Sequence, residues 1–242
     1  NTLQAIACGY LIAAVVMIIP SRRVQVAIPI ALAVGYGLAI HLGGDYSRTG
    51  NLAIRFEDWF VRLVMPAGNR AMELADPWYS WWFTIPMYGA MTLCGAEATR
   101  ILTSGAEKMT RFWRLFALGA ILLAVGWALV PWVPSIKHIF SLSFTAQAMG
   151  WSCLALAALF YLSDVLMLRK GLGLFILFGQ TALLAYMTIE VFSCVPNAFA
   201  DMVTGGFAHA FGPKTVPLAR WFFATVFLVT ILHFRRAAAK KV

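Results

Sequence analysis

Apolar residues fill this chain in long unbroken runs, not in the alternating or three-and-four spacing of surface elements. Seven runs emerge, roughly 3–20, 24–42, 81–102, 112–133, 140–168, 172–194 and 219–234. About 20 apolar residues is the length an α-helix needs to cross hydrocarbon. Backbone N–H and C=O groups find no water there, so the runs are expected as helices. The pattern predicts an all-α integral membrane protein, with about seven transmembrane helices forming a single bundle over residues 1–242. The fifth run is long enough to tilt or to project beyond the bilayer. Pro29 and Pro86 predict kinks, and Gly35-Tyr36-Gly37 predicts close helix contacts.

One polar stretch interrupts the pattern, at residues 43–80. Within it, residues 52–65 mix apolar and charged positions, with Phe56, Phe60 and Leu63–Val64 at helical spacing. An interfacial helix stopped by Pro66 is expected there, as a lid on the bundle or as one wall of a cavity.

Composition agrees with membrane residence. The chain is 61% hydrophobic and 12% charged, where soluble domains carry roughly 25% charged residues. Its net charge of +9 comes from basic residues placed singly or in pairs at the ends of apolar runs, such as Arg22–Arg23 and Arg169–Lys170. That distribution marks topology and contact with membrane lipids, not nucleic acid. Twelve Lys and Arg fall on one side of the predicted spans and seven on the other. The richer side is expected to be cytoplasmic, with the C-terminus inside and residues 43–80 as a long extracytoplasmic loop.

Charged groups at membrane depth are costly and therefore candidates for function. Glu190 follows Gln180, Thr181 and Tyr186 on the sixth run. Asp164 lies beside Arg169 and Lys170, and Glu97 lies three residues from Arg100, so local ion pairs are expected for both. His41, His138, His209 and His233 are scattered without metal-site spacing, though each can serve as a general base near neutral pH. Cys8, Cys94 and Cys153 sit inside apolar runs and read as small packing residues, while Cys194 lies near a helix end. No nucleophile elbow, phosphate loop or dinucleotide fingerprint is present.

Several stretches resemble the heparan-alpha-glucosaminide N-acetyltransferase family of transmembrane acyltransferases, which has many bacterial members. Leu3-Gln4 with Tyr10-Leu11 is similar to the motif that opens the family's first matching helix. Gly50-Asn51-Leu52 and Asp76-Pro77 resemble its long extracytoplasmic loop, and Thr84-Ile85-Pro86 with Gly95 the helix after it. Residues 134–143, Pro-Ser-Ile-Lys-His-Ile-Phe-Ser-Leu-Ser, are similar to its P-x-N-K-x-L-W-S/T-x-S stretch. Residues 179–192, with Tyr186 and Glu190, resemble a later helix. Ala5, Trp78-Tyr79, Ile136, Phe140 and Thr181 depart from these motifs.

The resemblance implies acyl transfer from cytosolic acyl-CoA to a sugar or similar acceptor on the far face of a bacterial cytoplasmic membrane. The family's catalytic His would lie on about four further helices before residue 1, so no catalytic residue is assigned. Asp76, Lys137, Ser141, Ser143, Tyr186 and Glu190 are the residues expected to bind substrate. No bound cofactor or metal is expected, only acyl-CoA as co-substrate. The departures motivate a second expectation, a non-catalytic membrane subunit held among other subunits or against a second copy of itself. A small transporter ranks third: Gln147, Gln180 and Thr181 offer polar groups for a pathway, but no convincing inverted repeat accompanies them.

Overall fold

A computed structural model describes residues 2–47, 50–64, 82–168 and 173–180, with isolated positions beyond. The described residues are helical and contain no strand. In chain order the helices are α1 (Thr2–Ile18), α2 (Arg22–Gly43), α3 (Leu52–Val64), α4 (Ile85–Thr103), α5 (Lys108–Leu129), α6 (Leu142–Phe160) and α7 (Gly173–Gln180). A π-turn, Tyr161–Val165, prolongs α6. Among the described residues, Arg22–Gly43, Lys108–Leu129 and Leu142–Val165 are long and apolar enough to cross a membrane, the signature of a membrane protein. The chain divides into two compact units, Asn1–Leu168 and Arg169–Val242.

Within the first unit, α1, α2 and α4 pack together, and α5 and α6 form a second close pair. Small residues set both approaches. On α1, a side chain at Gly9 would collide with the backbone of Tyr88, and one at Gly89 with Ile12. On α5 and α6, Gly119 and Gly150 face each other's backbone in the same way. Such contacts are the main source of attraction between helices in lipid, where apolar burial gives no advantage. The outward faces remain apolar: Ile121, Trp127 and Trp151 are each about 60% exposed, a surface suited to hydrocarbon.

Helix ends are closed by side chains. Gln25 Nε2 donates to the carbonyls of Met17 and Ile19 at 3.2 and 2.7 Å, capping the end of α1. Arg111 Nε and Nη1 donate to the carbonyls of Ala106 and Leu102 at 2.6 and 3.1 Å, closing the turn after α4. Lys108 Nζ reaches the Asp164 carbonyl at 2.7 Å and ties the start of α5 to the π-turn. The Asp164 carboxylate accepts from the neighbouring Ser163 hydroxyl at 2.5 Å. Its expected partners, Arg169 and Lys170, lie outside the described residues. Glu97 does sit 4.0 Å from Arg100, but its closer partner is Arg22 on α2.

The segment entering α3 is built by side-chain capping. Asn51, buried, accepts from the Ala53 N–H at 2.8 Å as the N-cap of α3. Just before it, the Ser47 hydroxyl and amide donate to the Asp45 carboxylate at 2.5 and 2.9 Å. These bonds hold the Asp45 carboxyl below its usual value of 3.8. A carboxylate stabilised this way contributes order above the ordinary value and loses it as pH falls through the lowered one. Exchange protection of the Ser47 amide is therefore expected to persist to pH 3.8 and to fall only below it. Asp45→Asn should abolish that pH step; a step that survives would mean another group controls the turn.

Candidate functional site: an aromatic groove beside the interfacial helix

Ala31, Gly35 and Ala39 recur every four residues along α2 and form one small-residue stripe. With no bulk there, the surface of α2 sinks between larger neighbours. Leu32 and Tyr36 on α2, Phe56 on α3, and Trp82, Phe83 and Pro86 at the start of α4 complete an open groove of about 400 Å³. The volume lies within the range of small-molecule sites, roughly 300–1,000 Å³.

The walls are a chain of aromatic rings. Phe83 packs on Tyr36 and on Phe56, with centroids 5.4 and 5.2 Å apart. Phe56 stacks on Phe60 at 6.1 Å, and Phe60 meets Trp82 at 4.8 Å. The Trp82 backbone N–H donates to Glu57 Oε2 at 3.1 Å and pins the α4 entrance to α3. The amphipathic α3 thus buries Ala53 and Val61 and leaves Trp59, Leu63 and Val64 exposed. The expected helical spacing of Phe56 and Phe60 is present, and it serves the groove wall.

Behind the groove, Tyr36 joins two regions far apart in sequence. Its hydroxyl donates to the Ile139 carbonyl in the loop before α6. Ile136, Ile139, Phe140 and Leu142 pack on the same core as Tyr36, Ile40 and Met87. Phe140 adopts a left-handed φ of 45°, a costly conformation for a bulky residue. Rings of Tyr88 and Phe144, with centroids 4.8 and 5.9 Å away, hold it there.

The six residues expected to bind substrate do not all fall in described structure. Asp76, Tyr186 and Glu190 lie outside it. Lys137 is exposed at the tip of the loop before α6. Ser141 and Ser143 are buried and share a hydroxyl contact of 3.3 Å. Ser141 Oγ also accepts from the N–H groups of Ile136 and Phe144 at 2.9 and 3.4 Å, as the N-cap of α6. The family-like stretch therefore packs, through Ile136, Ile139 and Phe140, on the core that holds Tyr36. His41 Nδ1 lies 3.2 Å from the Tyr46 hydroxyl at the end of α2. Among the described residues no three His, Cys, Asp or Glu side chains gather as a metal site.

The sequence offers α3 as one wall of a cavity, but not the part that α2 and the start of α4 play in the groove. The signal on α2 is the four-residue repeat of Ala31, Gly35 and Ala39, which marks a helix contact or a cleft equally well. What the arrangement can do is hold a hydrocarbon chain: the lining is apolar and aromatic, and its phenol is already engaged by Ile139. No family model, curated protein or solved structure matches this chain.

Proposed function

We propose that this chain is a membrane-embedded acyltransferase-like protein whose groove holds the acyl chain during its transfer. In this reading about seven helices cross a bacterial cytoplasmic membrane with the C-terminus inside. The acyl group comes from cytosolic acyl-CoA and passes to a sugar or similar acceptor on the side of α3. The observation that carries the proposal is an aromatic-walled groove of about 400 Å³ set on a membrane-crossing helix beside an amphipathic one. Lys137, exposed in the loop before α6, is our candidate contact for the acceptor.

Gly35 offers a test, because a Cβ added there meets nothing within 4 Å. Gly35→Leu should fold and fill the groove. Labelling by a photoreactive long-chain acyl-CoA is expected to drop about tenfold, equivalent to about 1.4 kcal/mol. Labelled residues should include Tyr36 and Phe83. Equal labelling of Gly35→Leu and the parent would remove the groove from the proposal.

A second reading, a non-catalytic acyltransferase-like subunit, draws on the engagement of Ser141 and Ser143 in closing α6. The protein made from its complete gene separates the two. Acyl transfer by that protein alone supports the enzyme. Persistent inactivity, with other membrane proteins copurifying in fixed ratio, supports the subunit.

A further inference from the structure

We propose that the arginine-rich end of the first unit, where α1, α2 and α4 meet, holds the phosphate of an anionic phospholipid on Arg22, Arg23 and Arg100. Arg22 and Arg23 open α2, and Arg100 lies in the last turn of α4. Packing of the two helices brings Arg22 and Arg100 to one carboxylate. Arg22 Nη2 donates to Glu97 Oε1, and Arg100 Nη1 lies 4.0 Å from Glu97 Oε2. Arg23, next to Arg22, is exposed and has no ion-pair partner among the described residues. Three cations therefore stand against the single charge of Glu97.

Their donors are not used up. Arg100 Nη2 meets the Met17 sulfur at 3.1 Å, and a thioether is only a weak acceptor. The Arg22 side chain is half exposed, and a guanidinium carries five N–H donors. The negative helix ends nearby are already occupied: Gln25 caps α1, and Arg111 closes the turn after α4. The first turn of α2 contains no acidic residue, so the helix dipole adds to the positive charge instead of offsetting it. A phosphate supplies what this end lacks, a negative charge and several acceptor oxygens that match the guanidinium fork.

The surroundings make a lipid the source of that phosphate. Met17 and Ile18, beside the arginines at the end of α1, are exposed, Ile18 by 81%. On α5, which begins just after α4 ends, Trp113 is exposed next to an exposed and unpaired Arg114. Cations rimmed by exposed apolar side chains and an indole are the pattern of a membrane interface. There a phosphate sits directly above hydrocarbon, and its acyl chains cover side chains such as Ile18, which a free anion would leave in water. The groove lies toward the opposite ends of α2 and α4, so this site does not depend on acyl transfer.

The test titrates the full chain, stripped of lipid in a neutral detergent, with phosphatidylglycerol or with phosphatidylcholine of the same acyl chains. Native mass spectrometry counts the bound lipid. The parent should bind phosphatidylglycerol about tenfold more tightly, since each arginine at a membrane surface favours anionic lipid by about fivefold. Arg23→Gln combined with Arg100→Gln should bring the two lipids within about twofold of each other. Arg55→Gln combined with Arg62→Gln removes the same charge from α3, beyond the other end of α2, and should leave the preference intact. Excess inorganic phosphate should not displace the lipid. Equal affinity of the parent for both lipids, an unchanged preference in the Arg23 and Arg100 variant, an equal loss in the α3 variant, or displacement by inorganic phosphate would each overturn the proposal. Arg23→Gln alone, at an exposed side chain, should cost about fivefold and decides the question where the double variant fails to fold.

Discussion

Gly150→Ala is expected to destabilise the first unit by about 1–3 kcal/mol, the usual cost of forcing extra volume into a packed contact. The new methyl carbon would lie 2.7 Å from the Leu123 backbone nitrogen and 2.9 Å from the Gly119 carbonyl oxygen. Neither is the end of a flexible side chain, so α5 and α6 must separate. Separation forfeits contacts along the whole pair, including the 3.3 Å bond from Gln147 Nε2 to the Gly126 carbonyl. Gly95→Ala supplies the control, because its side chain enters open space in the middle of α4. That variant should gain about 0.5–1 kcal/mol from helix propensity. Thermal unfolding of both in the same detergent measures the contrast. If the two variants melt together, the close approach of α5 and α6 does not exist.

Tyr36→Ala should cost about 3–5 kcal/mol, the range for removing a large aromatic side chain from a packed site. Tyr36 is only 5% exposed and packs with Phe83, Ile40 and Met87. Its loss would also open the groove toward the loop before α6. Tyr36→Phe keeps the ring and removes only the donor to the Ile139 carbonyl. An unmet buried carbonyl costs about 1–3 kcal/mol, so the phenylalanine variant should fall between the parent and alanine. Chemical unfolding of the three proteins gives the order directly. A phenylalanine variant as stable as the parent would show that the hydroxyl bond contributes nothing.

Where the sequence reading placed helices, local physics was enough. The runs at 24–42 and 112–133 correspond to Arg22–Gly43 and Lys108–Leu129, because a backbone in hydrocarbon has no alternative to internal hydrogen bonds. The fifth run ends in a π-turn that apolar content does not encode. The spacing of Phe56 and Phe60 predicts an amphipathic helix, and α3 covers Leu52–Val64, while the stop expected at Pro66 lies outside the described residues. The candidate site was less legible. Ser141 reads as a polar residue in a family-like stretch, but whether its hydroxyl is free depends on Ile136 and Phe144 folding back onto it. Glu97 has a plausible partner in Arg100 by spacing alone, yet Arg22, on another helix, lies closer.

The sequence by itself determined that this protein is helical and suited to a membrane, and where most of its described helices begin and end. Those properties depend on the number of consecutive apolar residues and on capping side chains, both local quantities. Only the tertiary structure decided which helix faces which. Tyr36 meets Ile139 103 residues away, and Gly119 meets Gly150. In a chain that is apolar on nearly every face, periodicity singles out no contact side. The pairing is set by where small residues allow two backbones to approach, and that is a property of two helices at once.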